Sequence, residues 1–452
     1  MANKELNYKK RNFYTDTESA EKAYEYAKGY MTFIDNAKTE REAVKEGIKI
    51  AEAAGFVPYT FGMKLKAGDK LYYNNRGKSL FLFRIGTEDI SEGFRISAAH
   101  IDSPRVDLKQ VPLYEESGMA FLKTHYYGGI RKYQWVATPL ALHGVVAKTN
   151  GEVVNVVIGE DESEPIFYIT DLLPHLASEQ GKKPLNEAIP GEKLNILIGS
   201  RPGKDCNVRD NIMQIINEKY GITEDDFLSA ELCGVPAGRA RDLGLDRSLM
   251  AAYGHDDRCC AYPALTAVVG CDSPKHTIMC VLVDKEETGS DGVSGMQSRV
   301  FADLLENITV ALGGNFAQVR AASKCLSADV SAAFDPNFAD VYEKRNCCEI
   351  NCGAVLTKYT GSRGKSGTSD ASAEFLGWLR ACMAEYDVVW QSGELGKVDI
   401  GGGGTVAKFV ANMNIDTVDL GVPVLSMHAP YEVISKADLY EAYRAFDAFC
   451  KY

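Results

Sequence analysis

One stretch decides the fold: His276-Thr-Ile-Met-Cys-Val-Leu-Val-Asp-Lys-Glu-Glu-Thr-Gly-Ser290. From Ile278 to Val283 the residues are all apolar and partly β-branched, which predicts a central strand covered on both faces. The run ends at Asp284, and Glu286 and Glu287 follow. Adjacent carboxylates raise each other's pKa unless a cation or a proton lies between them. Such a pair after a buried strand fits one glutamate on a metal and the other as a proton carrier, or two solvated acids on a loop.

Three further apolar runs end in residues of the metal-binding type, and a fourth such residue opens a helix-like run. His100 follows the first run, and Asp102 lies two residues beyond it. Because residues i and i+2 of an extended chain share a face, Asp102 can orient a metal-binding His100. The other runs end in Asp329 and His428, and Asp256 opens the helix-like run, where capping is the commoner role. The repetition of this pattern is stronger evidence for a metal site than any one of these residues.

Taken together, these residues predict a metal site. In open α/β sheets, sites form beyond the carboxyl ends of the strands. Two imidazoles and several carboxylates suit two zinc ions that share a bridging carboxylate. The chain has no His-Glu-x-x-His sequence, so the helix-borne site of single-zinc metalloproteases is excluded.

Composition indicates a globular protein of two domains. The chain has 452 residues, and single cores rarely grow past about 250–300 residues. Its 45% hydrophobic and 25% charged residues are ordinary. The formal net charge of −12 argues against nucleic acid or an anionic membrane as partner. No stretch resembles a membrane span, which needs about 20 apolar residues.

We expect a cytoplasmic protein. The opening residues, Met1 to Lys10, are too polar for a secretory signal. None of the 12 cysteines precedes Cys206, and the adjacent pairs Cys259-Cys260 and Cys347-Cys348 suit ordinary disulfides poorly. Reduced, mostly buried thiols are therefore expected.

The order of elements predicts an α/β fold in two parts. Residues 1–107 and 243–452 form the predicted catalytic part, and residues 108–242 form a β-rich insert of short alternating segments. The stretch from Thr15 to Gly55 predicts two amphipathic helices, the second opened by a capping box. Gly295 to Ile308 predicts a further helix.

Nearly the whole chain resembles the aspartyl aminopeptidase family of metallo-aminopeptidases. The motifs that carry the resemblance are Ala98-Ala-His100-Ile-Asp102-Ser-Pro104, Tyr126-Tyr-Gly-Gly, Asp284-Lys-Glu286-Glu287-Thr-Gly-Ser290, Ser327-Ala-Asp329 with Asp335-Pro-Asn-Phe, and Ser426-Met-His428. Their order, His, Asp, Glu-Glu, Asp, His, is that of the co-catalytic zinc exopeptidases. The resemblance implies a zinc-exopeptidase-type mixed sheet flanked by helices, an inserted dimerisation domain, and self-association as a tetrahedral homododecamer.

The resemblance also implies a role for each site residue. Glu286 would be the general base, taking a proton from the attacking water and returning it to the leaving amine. Asp102 counts with it as a catalytic residue. The implied metal ligands are His100 and Asp329 on one ion, Glu287 and His428 on the other, and Asp256 as the bridge. Because this chain has His255-Asp256-Asp257 where the family has Leu-Asp-Asn, Asp257 stays open as an alternative bridge.

The activity implied is that of a co-catalytic dinuclear zinc aminopeptidase. Such an enzyme holds two Zn²⁺ per chain, with Co²⁺ or Mn²⁺ as substitutes, and removes the N-terminal residue of peptides that have a free N-terminus. Two substrate-binding residues are implied: Lys358, near an acidic substrate side chain, and His175, sent from the insert into a neighbouring protomer. A family histidine is replaced by Ala332, so we expect the acidic preference to be relaxed.

Two other function classes remain open. A dinuclear deacylase or carboxypeptidase could share this metal site, and activity on N-acetylated rather than free N-terminal peptides would identify it. A non-catalytic structural or binding protein is a different class, which metal analysis of the purified chain would test.

Overall fold

The computed structural model describes residues 6–17 and 20–452. Residues 1–5, part of the polar opening stretch and of the predicted segment 1–107, and residues 18–19, within the predicted Thr15–Gly55 helical region, lie outside it. Within the described ranges, no helix combines the length and hydropathy of a membrane span.

The described chain alternates helices with strands. The helices are α1 (Phe13–Asp16), α2 (Ala20–Asp35), α3 (Glu40–Ala53), α4 (Leu185–Ala188), α5 (Val208–Tyr220), α6 (His255–Gly270), α7 (Val300–Ala311), α8 (Phe316–Ala322), α9 (Ala373–Glu385), α10 (Ala407–Ala411) and α11 (Lys436–Lys451). The strands are β1 (Val57–Pro58), β2 (Lys70–Asn75), β3 (Ser79–Arg84), β4 (Phe94–His100), β5 (Arg105–Glu116), β6 (Met119–Tyr127), β7 (Pro139–Ala147), β8 (Val153–Ile158), β9 (Phe167–Tyr168), β10 (Ile196–Gly199), β11 (Ala230–Pro236), β12 (Arg241–Leu243), β13 (Leu249–Ala252), β14 (Thr277–Val283), β15 (Lys324–Ser327), β16 (Ser331–Ala332), β17 (Ala354–Thr357), β18 (Trp390–Ser392), β19 (Asp416–Gly421), β20 (Pro423–Leu425) and β21 (Glu432–Ser435).

A mixed nine-stranded sheet forms the centre, in the order β1-β2-β3-β14-β4-β15-β19-β17-β18. The strands β14, β4, β15 and β19 are parallel neighbours, so their carboxyl ends lie at one edge. The predicted mixed sheet of an α/β fold is confirmed.

The buried strand predicted from the opening stretch is β14, and every one of its residues is buried. Because side chains alternate across a strand, β14 serves two cores. Ile278, Cys280 and Leu282 pack with helices α2, α3, α6, α9 and α11. The alternate residues Met279 and Val281 pack with α7, α8 and α10 on the other face. Burial on both faces explains the continuous apolar run.

Two smaller sheets complete the fold. Strands β5 to β11 form an antiparallel sheet in the order β11-β5-β6-β10-β9-β7-β8, and β7 also pairs with β11, so the order closes on itself. These strands span Arg105 to Pro236, the region of the predicted β-rich insert. The same region carries helix α5, which the sequence analysis did not predict. The other is a five-stranded sheet in the order β12-β13-β21-β20-β16.

Local sequence patterns predict the start of helix α3 correctly but not the start of helix α7. The capping box is present at α3: the Thr39 side chain accepts from the Glu42 N–H, and the Glu42 side chain accepts from the Thr39 N–H. The helix predicted from Gly295 is wrong at its start, because α7 begins only at Val300. A Cβ on Gly295 would lie 2.2 Å from the Ser290 carbonyl oxygen, so the chain here doubles back on itself instead of winding into a helix.

Candidate metal centre

The topology brings the predicted ligands to one edge of the central sheet. His100 is the last residue of β4. Glu286 and Glu287 form a short 3-10 turn after β14, and Asp329 lies two residues beyond the end of β15. Because β4, β14 and β15 are adjacent and parallel, their polar ends converge.

Asp256 lies at the centre of the cluster, between two imidazoles. Its Oδ1 is 3.1 Å from Nε2 of His100, and its Oδ2 is 3.2 Å from Nε2 of His428. Around this axis, Asp329 Oδ1 lies 3.8 Å from His100 Nε2 and Glu287 Oε1 lies 3.5 Å from His428 Nε2. The carboxylate of Asp256 thus presents one oxygen to His100 and the other to His428.

Within this cluster, two groups of three described side chains have the spacing of metal ligands. His100, Glu286 and Asp329 place one ligand atom each within 4.8 Å of one another, and so do His100, Asp256 and Glu287. Four of these five residues were predicted as ligands, and the fifth, Glu286, was predicted as the base. The cluster borders a cavity of about 470 Å³.

Asp102 orients the cluster from behind. Its Oδ1 lies 3.3 Å from Nδ1 of His100, and its carboxylate accepts the backbone N–H groups of Glu286 and Glu287, each at 3.2 Å. The hydroxyl of Tyr127 donates to its Oδ2 at 2.6 Å. One fully buried carboxylate therefore positions a histidine and both glutamates at once, the arrangement that fixes ligand orientation in metal sites.

The end of β6 reaches the other histidine. His428 Nδ1 lies 2.8 Å from the carbonyl oxygen of Gly129, which leaves Nε2 toward Asp256. A Cβ on Gly128 would lie 3.1 Å from Oε2 of Glu287, and Gly128 has a φ of +72°. A residue without a side chain is needed here because the backbone passes directly beside a ligand.

Glu432 is a positioning residue that the sequence analysis missed. It is 1% exposed, and its two oxygens accept the backbone N–H groups of Asp256 at 3.0 Å and His428 at 2.7 Å. It thereby ties two ligand-bearing segments together. No sequence signal marks it, since it lies in β21 among apolar neighbours.

Burial and the crowding of acids and imidazoles in the cluster shift their pKa values. Burial, helped by neighbouring carboxylates, raises the pKa of Glu286 to about 8. Burial also raises the pKa of Glu287 well above its ordinary value. For His428 burial works in the opposite direction, but the hydrogen bond and charge of Asp256 outweigh it and raise the pKa to about 10. A divalent cation bound here would offset the repulsion between these crowded carboxylates.

The residues present fit zinc. Two imidazoles and four carboxylates form a nitrogen- and oxygen-rich donor set, and the buried Oδ1 of Asp256 and Oε1 of Glu287 accept no hydrogen bond from the described residues. The neighbouring Asp257 is also buried with neither oxygen accepting a hydrogen bond from the described residues, and one of its oxygens lies within 4.8 Å of the thiols of Cys259 and Cys260. Asp256 is the better candidate for the bridge because its two oxygens lie within 3.2 Å of the two histidines.

The two substrate-binding predictions lie outside this cluster. Lys358 forms an ion pair with Asp370, and its side chain is 43% exposed. It is not among the described residues that line the 470 Å³ cavity. His175 lies on an exposed turn, Pro174–Leu176, within the insert, and it does not line that cavity either. Neither residue is brought to the metal cluster of its own chain.

Known proteins resemble this chain over almost its full length. The family described as "Aminopeptidase I zinc metalloprotease (M18)" matches residues 33–450. A probable M18 family aminopeptidase 1 of Clostridium acetobutylicum is 52% identical over 433 residues, covering 93% of each chain. The crystal structure of an M18 aminopeptidase from Thermotoga maritima has a TM-score of 0.93 at 41% identity, covering 98% of this chain and 100% of that one.

A second crystal structure, aminopeptidase I of Clostridium acetobutylicum, has a TM-score of 0.92 at 47% identity and covers 99% of this chain and 100% of that one. A more distant structure, described as the mApe1 dodecamer, has a TM-score of 0.77 at 19% identity, covers 96% of this chain and 97% of that one, and supports the fold alone. The fold, the ligand cluster and these relatives agree: the chain belongs to the M18 family of zinc metallo-aminopeptidases.

Proposed function

We propose that the chain is a dinuclear zinc aminopeptidase in which Asp256 bridges two ions. The observation that carries the proposal is the position of Asp256, with one oxygen 3.1 Å from His100 and the other 3.2 Å from His428. His100 and Asp329 would hold one ion, and Glu287 and His428 the other. Co²⁺ or Mn²⁺ could replace Zn²⁺ on the same ligands.

Glu286 is the proposed general base. Bound zinc would supply a Lewis acid that polarises the scissile carbonyl and acidifies water. The carboxylate of Glu286 would accept the proton of the attacking water and return it to the leaving amine. Its position fits this role, because Asp102 holds its backbone N–H while its side chain lines the cavity. Asp102 acts through His100 and both glutamates, as a positioning residue.

The rival with the same ligands is a deacylase or a carboxypeptidase. Leucyl-p-nitroanilide, its N-acetylated form and an N-acetylated dipeptide with a free carboxyl end separate the three activities when the products are identified, because a deacylase releases acetate and a carboxypeptidase releases the C-terminal amino acid. We expect hydrolysis of the free-amine substrate only. Cleavage confined to either acetylated substrate would overturn the aminopeptidase proposal in favour of a deacylase or a carboxypeptidase.

Metal content tests the dinuclear centre. Purified protein dialysed against Zn²⁺ should hold two ions per chain, and chelation followed by Zn²⁺, Co²⁺ or Mn²⁺ should restore activity. One ion per chain at full activity would overturn the bridging role of Asp256.

We further propose that the chain self-associates through the insert, as a tetrahedral dodecamer. Between residues 153 and 185, six large apolar side chains are at least half exposed: Val153, Ile166, Leu172, Leu173, Leu176 and Leu185. Exposed apolar groups gathered in one segment are typical of an interface. A Leu172→Ser, Leu176→Ser double variant should dissociate in light scattering. Leu245→Ser, at a fully exposed leucine outside the insert, is the matched control and should not.

A reducing compartment, the cytoplasm, is proposed as the location. All 12 cysteines are free, and 11 of them are buried. Free thiols in this number are typical of proteins kept under reducing conditions. Fractionation of the source cells would test this location.

A further inference from the structure

The cavity beside the metal cluster is the space open to the substrate's N-terminal side chain. It extends over about 470 Å³ from Glu286, Asp329 and His428 to Leu395 and Thr405. If the scissile carbonyl lies at the cluster, as the proposed function requires, the adjoining side chain must project into this space. The groups that line it therefore select the residue that is removed.

The ionisable side chains that this lining adds to the metal cluster are acidic. Beyond the cluster itself, two ionisable side chains line the cavity, Glu394 and Asp419. Among the described lining residues there is neither a lysine nor an arginine. Lys358, which the family resemblance places near an acidic substrate side chain, is paired with Asp370 instead.

Glu394 is held in place with one oxygen unused. The hydroxyl of Tyr359 donates to its Oε1 at 2.7 Å, and its backbone N–H donates to the Asn346 carbonyl at 2.7 Å. No described residue donates to its Oε2. A carboxylate anchored in this way presents a fixed acceptor to a ligand.

Asp419 is a buried carboxylate with one oxygen that accepts no hydrogen bond from a described residue. It lies in β19 between Ser327 and Thr357 of the flanking strands and is only 4% exposed. Its Oδ1 accepts no hydrogen bond from the described part of the chain. A buried carboxylate oxygen without a donor is costly, and a cationic group entering the cavity would supply both the donor and the opposite charge.

The rest of the lining suits the stem of a long cationic side chain. Val330, Leu395 and Met427 are apolar and can cover methylene groups, as is usual around lysine and arginine. Cations line an adjoining cavity of about 380 Å³, which has Arg363, Lys365 and Lys397 in its wall and shares Glu394 with the first cavity. Of these, Lys365 is paired with Asp370 at 2.9 Å.

We propose that Glu394 and Asp419 select peptides whose N-terminal residue is lysine or arginine. This inference rests on the proposed aminopeptidase function and names its substrate class. The two carboxylates bind the cationic end of the side chain, while the metal cluster binds the backbone that is cleaved.

The test compares lysyl and norleucyl p-nitroanilides, because norleucine has the lysine stem without the ammonium group. Arginyl, leucyl and glutamyl substrates complete the panel. The wild-type kcat/KM should be highest for lysine or arginine and lowest for glutamate. Glu394→Gln and Asp419→Asn should each lower the lysine-to-norleucine ratio by about 10-fold to 100-fold, the range for a lost hydrogen bond to a charged group.

The matched control is Glu52→Gln. Glu52 also accepts a tyrosine hydroxyl, that of Tyr72 at 2.7 Å, but it does not line the cavity, so its ratio should equal that of the wild type. Zinc content and the norleucine rate show whether each variant is folded. Should Asp419→Asn fail to fold, Glu394→Gln decides alone.

The outcomes separate the two proposals. Norleucine cleavage with an unchanged ratio in Glu394→Gln, or a wild-type preference for glutamate, overturns the lysine and arginine selection and leaves the aminopeptidase standing. Failure of zinc-loaded wild type to cleave any of the five substrates overturns the proposed function, and the selection with it.

Discussion

The Tyr127 hydroxyl donates a 2.6 Å hydrogen bond to Oδ2 of Asp102. Tyr127 is the last residue of β6, in the antiparallel sheet, whereas Asp102 follows β4 of the central sheet. The bond therefore joins the two sheets at the carboxylate that positions His100, Glu286 and Glu287. Burial, together with the negative charge of Asp102, raises the pKa of Tyr127, so the tyrosine stays a donor at physiological pH.

Removing this hydroxyl should weaken the metal centre. Tyr127→Phe removes one of the three donors that hold the Asp102 carboxylate, and we expect zinc affinity to fall by about 10-fold, the lower end for lost support of a metal ligand. Competition with a chelating dye measures the affinity. Tyr126→Phe, at the exposed neighbour on the same strand, is the control. Equal zinc affinity in both variants would contradict the role of Tyr127.

The two adjacent glutamates should behave differently. Glu286→Gln keeps the shape of the side chain but cannot accept a proton, so turnover should fall by about 10²–10⁴ while zinc stays near two per chain. Glu287→Ala should lose zinc as well as activity. Metal analysis alongside kcat distinguishes them, and zinc loss in Glu286→Gln would reverse the assignment.

Glu432 should matter for zinc binding despite lying behind the ligands. Glu432→Gln replaces one acceptor with an amide group that faces an N–H donor, so we expect zinc affinity to fall by about 10-fold to 100-fold. Asp438→Asn is the matched control. Asp438 also accepts two backbone N–H groups, those of Asn351 and Gly353, and burial raises its pKa to about 8, as it does for Glu432.

The control should lower the free energy of unfolding by about 1–3 kcal/mol without changing zinc affinity, because its backbone partners bear no ligand. If both variants bind zinc as the wild type does, Glu432 is only a structural residue.

His143 should make stability depend on pH. Burial opposes its charge, but hydrogen bonds to Glu160 and Glu42 outweigh burial and raise the pKa of His143. A raised folded-state pKa stabilises the protein below the unfolded value of about 6.5, and the contribution is lost as pH rises through the folded-state value. The free energy of unfolding should therefore decline above that pH.

His143→Gln should flatten this decline, as measured by urea unfolding from pH 6 to 9. Lys38 also pairs with Glu160, at 2.5 Å, so that carboxylate keeps a cation when the histidine loses its proton. His125→Gln, at an exposed histidine, should keep the wild-type slope. A slope unchanged in His143→Gln would contradict the assignment.

His175 is expected to act in a neighbouring protomer. It lies on the exposed turn of the insert, so mixing inactive Glu286→Gln chains with His175→Ala chains should restore activity in mixed oligomers. The measurement is turnover after joint refolding, compared with each variant refolded alone. Full activity of His175→Ala by itself would end the idea.

Sequence patterns were sufficient for the parts of the site that local structure determines. The buried strand β14 and the acids after it could be predicted because a few consecutive residues show both the apolar run and the point where it ends. Glu432 could not be found in this way. Its partners are the N–H groups of Asp256 and His428, and only the tertiary fold brings Asp256 near β21. The early helix prediction at Gly295 failed for a more local reason, because the chain turns back and the carbonyl oxygen of Ser290 occupies the space beside Gly295.

The ion pair of Lys358 is a second feature that the sequence did not predict. The family resemblance placed a lysine near the substrate, and the residue is present, but Asp370, 12 positions away, pairs with it. Charge selection depends on which groups face the cavity, and ion pairing in the fold decides that. Glu394 and Asp419 lie in no motif that the sequence analysis singled out.

The contacts of Tyr127 and Gly129 with the metal centre bear on any attempt to build a smaller enzyme. Deleting the insert and joining its flanks would remove the donor to Asp102 and the carbonyl oxygen beside His428. The shortened chain would keep its central sheet, but Asp102 and His428 would each lose a contact that positions them. A miniaturised variant would need a grafted Tyr-Tyr-Gly-Gly loop, and its design would begin from that loop rather than from the ligands.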